Sequence, residues 1–173
     1  MFFFGHLGLG QQVAKPFHKN LPVAPLLFGA VLPDLIDKPL YYGLSHLTGR
    51  RGAALGIVAG TRSFGHTILF ALTLAAAARL RRSRALAAVA LGCATHIFLD
   101  IVTDVVLRGA GFSMKAFLWP LLGLQFPIYT YRGWHDHLWH IREPFLLTCE
   151  VIGAALLLWE WYRAARSSAR AAR

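Results

Sequence analysis

Five apolar segments follow one another along this chain, separated by short polar or basic breaks. The first, from about Phe2 to Ala14, has about half the length a bilayer crossing needs and predicts a short or re-entrant helix, closed by Lys15, His18 and Lys19. The second, Leu21 to Ile36, ends in Pro33-Asp34-Leu35-Ile36-Asp37-Lys38-Pro39, whose prolines predict a helix ending or a broken helix. A polar, glycine-rich stretch from Tyr41 to about Thr61 comes next. The third segment, Phe64 to Leu80, is rich in Ala and Leu and ends at Arg79, Arg81, Arg82 and Arg84. The fourth, Ala85 to Leu107, and the fifth, Pro144 to Tyr162, are each long enough to span a membrane. Between these two lies a Pro-broken stretch, residues 112–142, whose Trp119, Tyr129, Tyr131, Trp134 and Trp139 suit an interfacial belt.

The pattern predicts an all-α fold: an integral membrane helical bundle of about four spans with a short or re-entrant N-terminal helix. A single membrane-embedded domain covers residues 1–173, with 112–142 as an aromatic interfacial loop and 163–173 as a basic cytoplasmic tail. Composition agrees, since 56 % of residues are hydrophobic and only 15 % charged, with a mean hydropathy of +0.49. The net charge of +10 would suit a nucleic-acid binder, but the basic residues sit in short loops and a tail beside apolar runs, where topology signals belong. No nucleic-acid partner is expected. The start, Met1-Phe2-Phe3-Phe4-Gly5-His6, lacks a basic n-region and a small-residue cleavage site and is expected to be retained. Cys93 and Cys149 have no paired spacing and are expected to be buried thiols. The positive-inside rule puts Arg79–Arg84 and the tail Arg163, Arg166, Arg170 and Arg173 in the cytoplasm, on the same side as Lys15 and Lys19.

With that orientation, ionisable residues from separate segments fall at one depth, in the outward half of the membrane. His66 lies at the outer end of the third segment, His96, Asp100 and Asp104 in the outer half of the fourth, and Asp34 and Asp37 at the outer end of the second; His6 joins them if the first helix descends toward Lys15. His96, Asp100 and Asp104 are i, i+4 and i+8 and share one helical face. An Asp near the centre of a membrane helix costs about 2.5–3.5 kcal/mol, so the four Asp would together oppose insertion by roughly 10 kcal/mol if uncompensated. Arg62 and Arg108 can pair with two of them, leaving the others and the histidines unexplained. A bound divalent cation offsets such a cost, and imidazole with carboxylate is the ligand mix of Zn²⁺, Mn²⁺ or Fe²⁺. Each residue also has a plainer reading: a satisfied core histidine, Asp34 and Asp37 as helix caps beside Pro33 and Pro39, and Asp104 as a solvated interfacial carboxylate. For His135, His137 and His140, in Trp134-His135-Asp136-His137-Leu138-Trp139-His140, interfacial anchoring or substrate contact is expected before metal binding.

The order His6, Leu32-Pro33-Asp34-Leu35-Ile36-Asp37, then Arg62, Ser63, His66 and Thr67, then Thr95, His96, Asp100 and Thr103, then Gly111 and Leu118-Trp119-Pro120, resembles the YdjM-like membrane-bound predicted metal-dependent hydrolases, over about residues 5 to 121. That family usually reads like HRGxTHS before its central histidine. This chain has Thr61-Arg62-Ser63-Phe64-Gly65-His66-Thr67, so the first histidine of the motif is missing. The resemblance implies a bacterial inner-membrane protein, multi-pass with a cytoplasmic C-terminus, that hydrolyses a phosphoester or acyl ester of a lipid or lipid-linked substrate at the outer leaflet. Its divalent cation, Zn²⁺ by first choice with Mn²⁺ or Fe²⁺ as alternatives, one ion or two, would be held from among His6, Asp34, Asp37, His66, His96 and Asp100. Asp37 or Asp100 would serve as general base, with Arg62 stabilising a phosphate or oxyanion and Ser63 orienting it. Two alternatives belong to other classes: an ion, proton or metal transporter, and a non-catalytic scaffold with a structural metal site. A transporter needs a polar stripe reaching both membrane faces, whereas Ala85–Leu91 is wholly apolar and Ala71–Ala78 is apolar apart from Thr73.

Overall fold

The computed structural model describes residues 1–17, 19–109, 111–128 and 134–171. Among them the fold is all-helical: α1 (Phe3–Ala14), α2 (Val23–Gly29), α3 (Leu32–Thr48), α4 (Ile68–Leu80), α5 (Arg84–Arg108), α6 (Gly111–Phe117), α7 (Trp134–Trp139) and α8 (Pro144–Ala171), with short 3-10 turns between several of them. His18, Tyr129, Tyr131 and Arg173 lie outside the described residues.

Two of the expected spans are single helices long and apolar enough to cross a bilayer, α5 and α8, with mean hydropathies of 2.0 and 1.4. At about 1.5 Å per residue, α4 reaches only about 20 Å, short of the roughly 30 Å hydrocarbon thickness. The second apolar segment is also not one rod. It breaks between α2 and α3, and the prolines sit differently from the expectation: Pro33 lies in the first turn of α3, where its missing N–H is harmless, and Pro39 lies inside the helix. Helix α3 therefore continues to Thr48, into the stretch expected to be loop, and stops at Gly49, whose φ of 67° is a left-handed cap.

Packing depends on glycine. On α1, a Cβ at Gly8 would stand 2.0 Å from the Gly153 carbonyl oxygen of α8, so these two backbones touch. Gly92 of α5 meets the Leu26 carbonyl of α2 in the same way, at 2.2 Å. Close approach through small residues is how helices associate where lipid removes the hydrophobic drive. The α4–α5 hairpin is set by its caps: Thr67 Oγ1 accepts from Phe70 N at 3.0 Å, and Ser83 Oγ from Leu86 N at 3.2 Å.

The distribution of polarity is inverted. Leu69 and Leu72 of α4 and Val151, Leu158, Trp159 and Trp161 of α8 face outward, while His6, Asp37, His66, His96, Asp100, Asp104 and Glu150 are buried. Both cysteines are free and buried, as expected.

Candidate metal centre

Helix α5 supplies the floor of the site. Its i, i+4, i+8 stripe points His96, Asp100 and Asp104 inward, all at 5 % exposure or less. Helix α3 brings Asp34 and Asp37 from one side. The 3-10 turn Phe64–His66 brings His66, pressed so close to α3 that a Cβ at Gly65 would lie 2.9 Å from Pro33 Cα. Phe64 anchors that turn in an aromatic cluster, its ring 5.6 Å from Trp119 and 5.2 Å from Phe126, edge-on to both.

Four donor atoms converge: Nε2 of His66 and His96, Asp34 Oδ1 and Asp100 Oδ2. The two Nε2 atoms are 3.2 Å apart; His66 stands 3.5 Å from Asp34 and 3.4 Å from Asp100, and His96 stands 3.9 and 3.7 Å from the same oxygens. Two overlapping sets of donors, Asp34/His66/His96 and His6/His96/Asp100, each lie within 4.8 Å of one another, close enough to hold a divalent ion.

Tautomers reinforce the fit. His96 Nδ1 donates to the Ala30 carbonyl at 2.7 Å, and His66 Nδ1 to Asp37 Oδ2 at 2.7 Å. A carbonyl and a carboxylate can only accept, so both Nδ1 atoms carry a proton and both Nε2 atoms are turned toward the centre. Asp37 in turn accepts from the Ser63 and Gly65 backbone N–H groups, at 2.7 and 3.0 Å.

These contacts separate the residues singled out in the sequence. Asp34, His66, His96 and Asp100 stand at the centre, and His6 joins His96 and Asp100 in a second set of donors. Asp37 does not: it is fully buried behind His66 and orients that ring, because its oxygens are taken by the imidazole and two amides. Ser63 also stands back. Its N–H is committed to Asp37, and its buried hydroxyl has no hydrogen-bond partner among the described residues and does not line the adjacent cavity. His6 is adjacent, its ring stacked on His96 with centroids 3.7 Å apart and its Nε2 3.4 Å from Asp100 Oδ1, and neither nitrogen makes a hydrogen bond among the described residues. Asp100 is shared: Oδ1 faces His6 and accepts from the Met1 amino group at 2.8 Å, while Oδ2 accepts from Arg62 Nε at 3.0 Å.

Three participants exceed the sequence reading. Asp104 is not a solvated interfacial group. It is 2 % exposed, takes Arg62 Nη1 and stands 3.9 Å from Arg108, so the stripe ends in an ion-paired clamp. Glu150 of α8 accepts the N–H groups of Phe2, Phe4 and Gly5 at 3.0, 2.8 and 2.9 Å, capping α1 from another helix and fixing the turn that carries His6. A lone carboxylate in an apolar run was the signal for it. His137 of α7 reaches the site's outer wall with its Nδ1 2.8 Å from the Tyr42 hydroxyl; burial, with the Lys38 ammonium next, pushes its pKa down to about 3.

A cavity of about 380 Å³ opens onto Asp34 and Asp100 and is walled by Lys38, Arg62, Arg108, His137 and His140. On the opposite side of α5, a groove of about 840 Å³ against α4 is lined mostly by Ala, Leu and Ile.

The profile of the YdjM inner membrane protein family matches residues 1–167 of the chain. No curated protein and no solved structure matches it.

Proposed function

The chain belongs to the YdjM inner membrane protein family, and on that premise we propose that it is a membrane-embedded, metal-dependent hydrolase acting on an ester of a lipid or lipid-linked substrate. The observation that supports this reading is the convergence of His66 Nε2 and His96 Nε2 on the carboxylates of Asp34 and Asp100, with both imidazoles turning Nε2 inward. Two His and two carboxylates suit Zn²⁺ first, with Mn²⁺ or Fe²⁺ as alternatives. Held there, such an ion supplies Lewis acidity and an acidified water.

The chain's own groups do the rest. Asp37 holds the His66 tautomer, and the Ala30 carbonyl holds that of His96. Arg62, braced by Asp100 and Asp104, presents positive charge to the cavity where an ester oxygen would gain charge. His6 is the one imidazole of the three whose nitrogens are untied among the described residues, and it serves to accept a proton beside Asp100. In the bilayer, α5 and α8 cross fully, and α4 with the α1–α3 pieces completes the bundle. The arginines at 79–84 and along the end of α8 lie in the cytoplasm and the site in the outer half, reached from the outer leaflet.

Metal content of detergent-purified protein, read beside a His96→Ala/Asp100→Ala variant, is the test. About one transition-metal ion per chain, absent from the variant, supports the centre and leads to an assay on phosphoester and acyl-ester lipids. A folded protein that stays metal-free after Zn²⁺ or Mn²⁺ is added overturns it.

A further inference from the structure

Resting on the reading above, the geometry points to a phosphate group as the part of the substrate that occupies the 380 Å³ cavity, bound by Arg62, Arg108 and Lys38 beside the metal centre, and bound only when the centre is loaded. An acyl ester develops one negative charge, on one oxygen, and a single guanidinium would answer it. This cavity instead gathers two guanidiniums and an ammonium within one wall system, and guanidinium forks match tetrahedral oxyanions.

The coupling to the metal follows from charge. Among the described groups lining the cavity, the Met1 ammonium, Lys38, Arg62 and Arg108 are cationic and Asp34, Asp100, Asp104 and Glu143 anionic, four against four. The cations sit against those carboxylates: Lys38 on Asp34 at 2.6 Å, Arg62 on Asp100 and Asp104, Arg108 near Asp104. A divalent ion on Asp34 and Asp100 neutralises two of the four anions, so the lining changes from a net charge of 0 to +2. Lys38 is then released from Asp34, and Arg62 from Asp100, toward whatever fills the cavity. Asp104 keeps Arg62 and Arg108 on one carboxylate and so sets their spacing.

The test uses the full chain in nanodiscs, Zn²⁺-loaded or metal-stripped, with inorganic phosphate as probe, followed by ³¹P line broadening and calorimetry, and acetate as the carboxylate control. Zn²⁺-loaded protein is expected to bind phosphate at least about tenfold more tightly than metal-stripped protein and more tightly than acetate. Arg108→Gln should weaken phosphate binding by about tenfold with Zn²⁺ content unchanged. Phosphatidic acid in the nanodisc that competes with the probe assigns a lipid headgroup; phosphate binding without such competition assigns a water-soluble phosphate compound. Both support a phosphate site. A chain that holds Zn²⁺ but binds phosphate no better than acetate, or no better than when stripped, overturns this inference and leaves the hydrolase reading standing. A chain that takes up no Zn²⁺ overturns both.

Discussion

Two hollows flank α5, and they could hardly be less alike. The larger, against α4, is a groove lined by Ala71, Ala75, Ala87 and Ala94 with Phe98 and Ile101; the smaller holds Asp34, Asp100, Asp104, Arg62, Lys38 and Arg108. Size does not mark the chemistry. The groove's small apolar side chains offer lipid tails a fit, and its only charges among the described residues are Arg79, Arg82 and Arg84 around the α4–α5 turn, whereas the smaller cavity sets carboxylates against cations to offset the cost of burying them. The helix separates the two environments by its period alone: positions 96, 100 and 104 face one way, while 94, 98 and 101 face the other.

The comparison breaks most completely at His96. His96→Ala removes an Nε2 donor that is 3.2 Å from its His66 counterpart and exposes the Ala30 carbonyl, so metal content should fall from about one ion per chain to near zero. Phe98→Ala, two residues away on the groove side and 51 % exposed, should leave metal content unchanged. Equal loss in both variants would mean that the two faces are not separate functions. Next in size is Glu150→Ala, which strands the N–H groups of Phe2, Phe4 and Gly5 at about 1–3 kcal/mol each. A lowered melting temperature in detergent, by the equivalent of about 3 kcal/mol or more, is expected, with recovery in Glu150→Gln only partial because one oxygen becomes a donor.

A smaller effect should follow Asp37→Asn. The amide oxygen can still accept from His66 Nδ1, but the charge that raises the ring's basicity is gone, so metal affinity should fall by about 10–100-fold without loss of the fold. Titration with a competing chelator measures it. A loss as complete as that of His96→Ala would place Asp37 in direct contact with the ion instead.

Much of this arrangement could be read from residue order. The stripe at 96, 100 and 104 needs only the helical period, and the shared depth of His66, His96 and Asp34 follows from counting residues between arginine clusters. What spacing could not say is which of two carboxylates in Asp34-Leu35-Ile36-Asp37 faces the centre. Both are plausible ligands until the 3-10 turn at 64–66 is seen to press two amides and an imidazole onto Asp37. Glu150 shows in the sequence as a lone carboxylate in an apolar run, but its role does not: its partners are backbone groups of α1, 145 to 148 residues away, and backbone donors leave no trace in a sequence pattern. The extent of α3 is not legible in the sequence because Pro39 reads as a breaker although the helix carries it.

The mildest test concerns the outer wall, where a titrating group stands between solvent and the polar cavity. His137 has its pKa pushed down to about 3 from an ordinary 6.5, by burial first and Lys38 second. Once α7 is detached, His137 binds a proton near pH 6.5; docked, it resists until about pH 3. The detached state therefore holds more protons throughout that interval, and docking weakens steadily as pH falls from about 6.5 toward 3, with no change above 6.5. Emission from Trp134 and Trp139, 61 % and 59 % exposed on α7, should report this as an acid-dependent shift that His137→Gln flattens. The apolar groove side contributes no histidine to the same interval, so a label placed at Leu72 should stay silent across it. A response at both positions would trace the acid sensitivity to the bundle as a whole and not to the wall of the polar cavity.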